Sequence, residues 1–409
     1  MVVRRHRSRS RRSFTGLDRK HCISPRLSHW PAAAWGPRLG QRPSWPRCAC
    51  RRHQPREQKV RMLNNDQNQL GGDGAVNAQA GRDVIVHGVT YADARQIAID
   101  VYRANALELQ GIAQQVARER AEHLIDQFLE KMQATGAERI EEAANPDFQH
   151  ALYEAQKAYA RSGDTGMEGV LVNLLVERAD EPNRTLRQVV LNEAVTAAAR
   201  LTPEQVTLLT VIFCFRHCRN TTLGSHDQLR DHFASLLPLC AAIPETESVY
   251  TYLAYSGVVT VEMGEARLPE ILRQTYPGLF SRGFEDTAFA AMREREPAAM
   301  QHVGNCLLNP ALKQVHALND DVLRALTTQS GISEQSRNEL SNLLKQNLMD
   351  DQQMIELFAP LGEPAARLFR LWSSTAIRQC LVTAVGMAIA HANARRLGMI
   401  DADLGVWVR

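Results

Sequence analysis

Cys214 and Cys218 stand four residues apart in the segment QVTLLTVIFCFRHC, with His217 between them and His226, His232 and Cys240 downstream. Positions i and i+4 share a helix face, so two thiolates with neighbouring imidazoles make a conceivable tetrahedral zinc set. The spacing matches no zinc ribbon or finger, and thiols on so apolar a segment read more simply as small buried hydrophobes. No metal or other cofactor is therefore expected. The chain also lacks Gly-x-x-x-x-Gly-Lys-Ser/Thr, Gly-x-Gly-x-x-Gly, Gly-x-Ser-x-Gly and His-Glu-x-x-His. Glu141-Glu142 and Asp350-Asp351 are adjacent acids, and sequence neighbours do not face each other on a helix, so neither is a good acid–base pair. His123, His150 and His302 have no partner recognisable in sequence and read as structural. A site assembled from distant residues leaves no such trace, which keeps an effector enzyme of unrecognised type open.

Charge divides the 409-residue chain. Its 48 Lys and Arg and 45 Asp and Glu give +3 overall, but residues 1–61 hold 17 of the bases against Asp18 and Glu57 alone, a net of +15, which leaves 62–409 at −12. The leader also contains six of the 17 prolines and three of the five tryptophans with no periodicity, a composition that cannot build a core. Ser10-Arg11-Arg12-Ser13-Phe14 starts like a twin-arginine export signal, yet Leu17-Asp18-Arg19-Lys20-His21 supplies no apolar segment after it. The prolines exclude an amphipathic transit helix. Two readings stand: a basic arm that neutralises nucleic-acid phosphates, or upstream sequence ahead of a translation start at Met62. The abrupt change of composition at Met62 favours the second.

Cys214, Cys218, Cys240, Cys306 and Cys380 are scattered through the body without paired spacing, which suits a reducing cytoplasm. No stretch reaches the roughly 18 apolar residues of a membrane span. The nearest, Cys380–Ala390, is bounded by Arg378 and by His391, Arg395 and Arg396, and reads as part of a buried core helix.

Residues 62–75 are polar and Gly-rich, a flexible tether. In Val76-Asn77-Ala78-Gln79-Ala80, apolar and amide side chains then alternate at the β period, placing Asn77 and Gln79 on one face. Gly81, Arg82 and Asp83 supply turn chemistry, and Val84, Ile85 and Val86 resume strong β-formers. Two β-prone arms around a glycine can fold as a hairpin or arch, and stacked copies would align Asn and Gln into ladders, a self-assembly signature. The alternative is an edge hairpin packed on the body. Asn77, Gln79, Gly81, Arg82, Asp83, Val84, Ile85 and Val86 are thus the candidate self-association or partner-binding residues.

The Gln-Ala-Gly core with flanking β-formers resembles RHIM-like motifs found beside bacterial effectors and STAND-type receptors, although Ala78 and Ala80 stand where that core carries branched residues. From Asn77 to Leu109 the chain is also similar to the N-terminus of an uncharacterised bacterial family, in which an Asn-x-Gln-x-Gly-Arg-Asp-Val strip precedes a helical domain. Asn145-Pro146-Asp147-Phe148-Gln149, Tyr159-Ala160-Arg161-Ser162-Gly163-Asp164 and Leu201-Thr202-Pro203-Glu204-Gln205 extend that likeness over most of 76–409. The resemblance implies a helical domain and a start near the strip; it implies no activity.

After the strip, Thr90-Tyr91-Ala92-Asp93 forms a capping box. Ile97, Val101, Leu109, Ile112 and Val116, then Leu124, Phe128 and Met132, recur at helical spacing, with Gly111 as a break. Helices are expected at about 148–161, 167–179 and 185–200, and Thr202-Pro203-Glu204 opens another. Residues 205–218 are apolar nearly all round and should be the most buried helix. Helices near 225–237 and 245–256, followed by two strands around Gly264 within 257–268, follow the order of a winged helix. Glu245 and Glu247 without Lys or Arg on the second helix disfavour DNA reading and favour packing or protein contact. Several polar helices are expected over 284–356 and one long helix over 365–397, with Trp407 docking beyond it.

The expected architecture is mainly α: a multi-helix bundle with a small winged-helix-like β-hairpin and a short N-terminal β strip. Its parts are the leader 1–61, the tether and strip 62–89, an N-terminal helical bundle 90–200, a helical core with the winged-helix-like module 201–283, and a C-terminal helical region 284–409. The expected function is that of a non-enzymatic, cytoplasmic bacterial interaction or signalling protein in a defence or stress pathway. It would bind a protein partner or itself through 76–88, without a membrane span and without nucleic acid. The alternative is a nucleic-acid-associated regulator that uses the winged-helix-like region.

Overall fold

The computed structural model describes Val2–Val3 and residues 90–104, 111–135 and 137–409. The described part of 87–409 belongs to one compact unit. The strip, with Asn77, Gln79, Gly81, Arg82, Asp83, Val84, Ile85 and Val86, lies outside the described residues, as does nearly all of the leader and the tether.

Thr90 opens the body with a reciprocal cap. Its hydroxyl accepts from the Asp93 N–H at 3.2 Å, while its own N–H and O–H donate to the Asp93 carboxylate at 3.0 and 2.7 Å. Helix α1 (Tyr91–Ala104) follows, and Gly111, at φ +60°, precedes α2 (Ile112–Thr135). Next come α3 (Pro146–Ser162), α4 (Thr165–Ala179) and α5 (Leu186–Ala198), close to the expected spans. Each begins at a side-chain cap, from Asn145, Asp164 and Thr185 in turn. Gly163 at φ +64° lets the chain reverse between α3 and α4 within two residues.

Helix α6 (Pro203–His217) has a full Thr202–Gln205 capping box and is buried on every side from Leu208 to His217. Strand β1 (Val2–Val3) pairs antiparallel with β2 (Cys218–Arg219), which directly follows α6. Helices α7 (His226–Cys240) and α8 (Glu247–Tyr255) and strand β3 (Val259–Val261) then give the helix–helix–strand order. The expected second arm after Gly264 is not a strand. Instead β3 pairs antiparallel with β6 (Cys380–Val382), Val259 opposite Val382 and Val261 opposite Cys380. The winged-helix-like hairpin is therefore split, and more than a hundred residues are inserted at its tip.

That insertion begins with α9 (Leu268–Thr275) and α10 (Ala290–Arg295), followed by a hairpin, β4 (Val303–Asn305) with β5 (Lys313–Val315), in a region expected to be helical only. Helices α11 (Asp320–Gln329), α12 (Glu334–Leu344), α13 (Asp351–Phe358) and α14 (Glu363–Ser374) complete it. A satellite core of Phe289, Met292, Val315, Leu323, Leu340 and Leu344 holds part of it together.

The expected single helix over 365–397 is two. Thr375 ends α14 in extended geometry, the β-formers Leu381 and Val382 enter strand β6, and Thr383 caps a new helix, α15 (Ala384–Arg396). Cys380–Ala390 is accordingly a strand followed by a helix, not helix throughout. Helix α15 packs on α4, α5 and α6 and carries Ala388, Ile389, Ala390, Ala392 and Ala394 fully buried. Two amides share that core: Asn173 donates to the Ala392 carbonyl at 2.7 Å, and Asn393 donates to the Thr210 hydroxyl at 2.8 Å. Between α3 and α5, the fully buried Arg178 donates to Asp147, Asn192 and the Glu181 carbonyl at 2.8–2.9 Å, with Glu142 at 3.5 Å.

Gly386 sets the approach of α15 to the wing. A Cβ there would lie 2.0 Å from the Val258 carbonyl oxygen and 2.8 Å from a Val382 methyl. Gly386→Ala should therefore destabilise the fold by at least about 1–3 kcal/mol, the usual cost of overpacking a tight core, read as a lower urea midpoint. An unchanged midpoint would contradict this packing.

Candidate functional site

The order α6, α7, α8, β3 with β6 follows that of a winged helix, in which the second helix of the pair reads DNA. One side of α8 is buried through Tyr250 and Leu253; the other exposes Ser248, Thr251, Tyr252 and Tyr255, with Tyr255 83% exposed. The Tyr252 and Tyr255 rings lie 6.0 Å apart, and the Tyr252 hydroxyl donates to the Arg200 carbonyl at 3.2 Å. No residue of α8 is basic, and Glu247 sits in its first turn. Glu245 lies just before the helix, 3.3 Å from Arg367, rather than on it. Val261 is half-exposed at the end of β3, and Met263 beyond it is fully exposed. This surface is aromatic, apolar and acidic. Phosphate neutralisation has no cation to use on α8, whereas exposed tyrosines are standard anchors of protein contacts.

A cleft of about 710 Å³ lies among α9, the first turn of α11 and the segment after α12. Four bases line it, Arg219, Arg267, Arg273 and Lys345, and all are already paired. Arg219 meets Asp321, Lys345 meets Asp320, and Asp351 takes Arg267 together with Arg273, the latter at 2.7 Å. Asn319 is buried there with its amide committed to the Thr275 carbonyl and its oxygen to the Val322 N–H. The cleft thus joins three segments by ion pairs.

The histidines distribute differently from the sequence expectation. His123 has a partner, Glu168 of α4, at 3.1 Å. His302 is buried, and that burial lowers its pKa. The buried histidine with the most constrained surroundings, His391, was not a sequence candidate. Its Nδ1 is 3.0 Å from Glu177 and its Nε2 is 2.8 Å from the Ala402 carbonyl. Glu177 is 4% exposed, and Arg395 approaches it at 3.5 Å. Burial, with Arg395 nearby, pulls the Lys131 ammonium below its ordinary range, against the attraction of Glu177, and Lys131 donates to Asn173. His391 and Glu177 lie far apart in sequence, and only their helical phases on α15 and α4 could have hinted that both point inward.

Cys214, Cys218 and Cys240, with Cys306 and Cys380, are free and buried. Burial pushes the Cys218 thiol well up, further raised by its hydrogen bond with Cys214; it drives Cys240 up to about 12 and Cys380 up to about 11. Thiols held in this state are poor nucleophiles at neutral pH. Among the described residues no group of three His, Cys, Asp or Glu has the geometry to hold a metal ion. No described helix is long and apolar enough to cross a membrane.

Residues 88–408 match the model of an uncharacterised protein family. The chain belongs to that family. No curated protein and no solved structure matches it. The family's model spans the helical body from just ahead of the Thr90 cap almost to the C-terminus, so the strip up to His87 lies upstream of the matched range.

The buried thiols give a direct check on the site. In the native chain, iodoacetamide at pH 8 should leave Cys214, Cys218, Cys240 and Cys380 unmodified by peptide mass mapping, and denaturant should release all four. Rapid native labelling of Cys214 or Cys218 would contradict the account.

Proposed function

We propose that this protein is a non-enzymatic interaction or signalling protein of bacteria, acting in a defence or stress pathway, whose helical body is recruited or clustered through residues 76–88. The observation that supports contact with protein rather than nucleic acid is the face of α8, which exposes Tyr252 and Tyr255 and carries no Lys or Arg. The reciprocal Thr90 cap opens the helical body two residues after the 76–88 segment ends in sequence. The strip's β-prone arms and its Asn77 and Gln79 provide the means of association by ladder formation.

A second reading, a nucleic-acid-associated regulator, is favoured by one observation, the winged-helix-like arrangement of α8 beside β3 and β6. Salt-dependent DNA binding by residues 62–409 would support it. The leading reading expects no such binding.

Proline removes a ladder donor and is excluded from stacked strands. Gln79→Pro combined with Val84→Pro, in the chain starting at Met62, should therefore abolish self-association while leaving the helical circular dichroism unchanged. Sedimentation velocity reads the outcome, and an unaltered oligomer size would refute the role of the strip.

A further inference from the structure

The small sheet of β3 and β6 has one edge on the surface. Main-chain groups of alternate residues point to opposite sides of a strand. Thr383 donates its N–H to the Val258 carbonyl at 3.1 Å and Glu262 donates to the Gln379 carbonyl at 3.0 Å, so the ladder with β6 runs through Val258, Thr260 and Glu262. Val259 and Val261 turn their N–H and C=O the other way, where no described strand pairs with β3. Cys380 and Val382 of β6 are buried, whereas Thr260, Val261 and Glu262 are exposed. The open edge is therefore that of β3, with the apolar side chains of Val261 and of Met263 just beyond it in solvent.

An unpaired strand edge is a template for another strand: main-chain bonds supply affinity, and side chains at alternate positions supply fit. The fold fills one such edge with a valine pair of its own chain, since β2, only two residues long, is paired with Val2–Val3. For β3 the matching segment is Val84-Ile85-Val86, three consecutive β-formers for a three-residue strand. Branched side chains set across from Val261 make favourable cross-strand pairs. Residues 87–89 alone separate Val86 from the Thr90 cap, which keeps Val86 within about 14 Å of Thr90. That cap opens α1, which packs on α2 and α3, whereas β3 packs on α8 and β6.

We propose that the β3 edge is the dock for the strip of a second copy, Val84–Val86 of one molecule adding as a third strand beside Val259–Val261 of the next. This rests on the reading of the strip as the associating element and names the surface that receives it. Strip and edge are different surfaces, so each molecule offers one of each. Two copies that exchange strips close as a dimer, and copies that pass them on in one direction extend as a chain.

Sedimentation velocity of the full chain tests the dock. Val261→Pro removes the outward N–H and leaves the N–H groups of Thr260 and Glu262 to the β6 ladder. The wild type is expected to associate, and Val261→Pro to sediment as a monomer with unchanged helical circular dichroism. A second readout uses the full chain carrying Gln79→Pro and Val84→Pro, whose edge is left open. A fluorescein-labelled peptide of residues 76–88 should bind it, read by fluorescence anisotropy, and should bind roughly tenfold more weakly once Val261→Pro is added, the cost of one unmade main-chain bond. Association of Val261→Pro equal to that of the wild type, or equal peptide binding with and without it, overturns the dock and leaves the role of the strip standing. A monomeric wild type, or association that survives Gln79→Pro with Val84→Pro, removes the role of the strip and the dock with it. Should Val261→Pro fail to fold, Val261→Lys with Met263→Lys stands in for it, because both side chains are exposed and charges on an edge strand oppose pairing. A monomer then supports the dock, and wild-type association refutes it.

Discussion

The burial of α15 is the constraint on which the rest of the body depends. This helix is enclosed by α4, α5 and α6, and an enclosed helix can present only small or apolar side chains unless every polar group finds a partner. The run of alanines at 388, 390, 392 and 394 meets the first condition, and Gly386 lets the helix start almost in contact with the Val258 carbonyl. Asn393 meets the second through Thr210, and His391 through the bond of its Nε2 to the Ala402 carbonyl. Because β6 precedes α15 and pairs with β3, the position of this helix also closes the split wing and fixes α8 beside it.

Much of the architecture is legible in the sequence. The capping box at Thr90 and the helix entry Thr202-Pro203-Glu204 gave helix starts within a residue, and the all-round apolar pattern of 205–218 identified a helix buried on every side, because caps and periodicity are local signals. Failures came where pairing is long-range. The partner of Val259–Val261 lies at Cys380–Val382, and nothing near Gly264 announces it. The helix pattern of 365–397 runs on through Thr375 and Thr383, so two capping threonines inside a periodic stretch were the overlooked sign of a break. The β4–β5 hairpin was hidden for a similar reason, since its three-residue strands are too short to show a period.

The candidate site was legible unevenly. The absence of bases on the second helix of the winged-helix-like segment was plain in Glu247–Tyr255, but the exposure of Tyr252 and Tyr255 required knowing which side of α8 meets Leu253. Cys214 and Cys218 looked like potential ligands by spacing; Cys214 is buried in α6 and Cys218 in the strand that follows it, where burial raises its thiol pKa, and both pack in the core. His391 stayed invisible because its partners come from α4 and from the segment after α15.

These features describe a helical body with a buried α15 at its centre and an exposed face on α8 that carries tyrosines and no bases. The proposed function places self-association in the residues ahead of Thr90. Sedimentation velocity on residues 62–409 compared with 90–409 is the most direct measurement. The account predicts concentration-dependent assemblies for the longer chain and a monomer of unchanged helicity for the shorter one. Identical sizes for the two would contradict it.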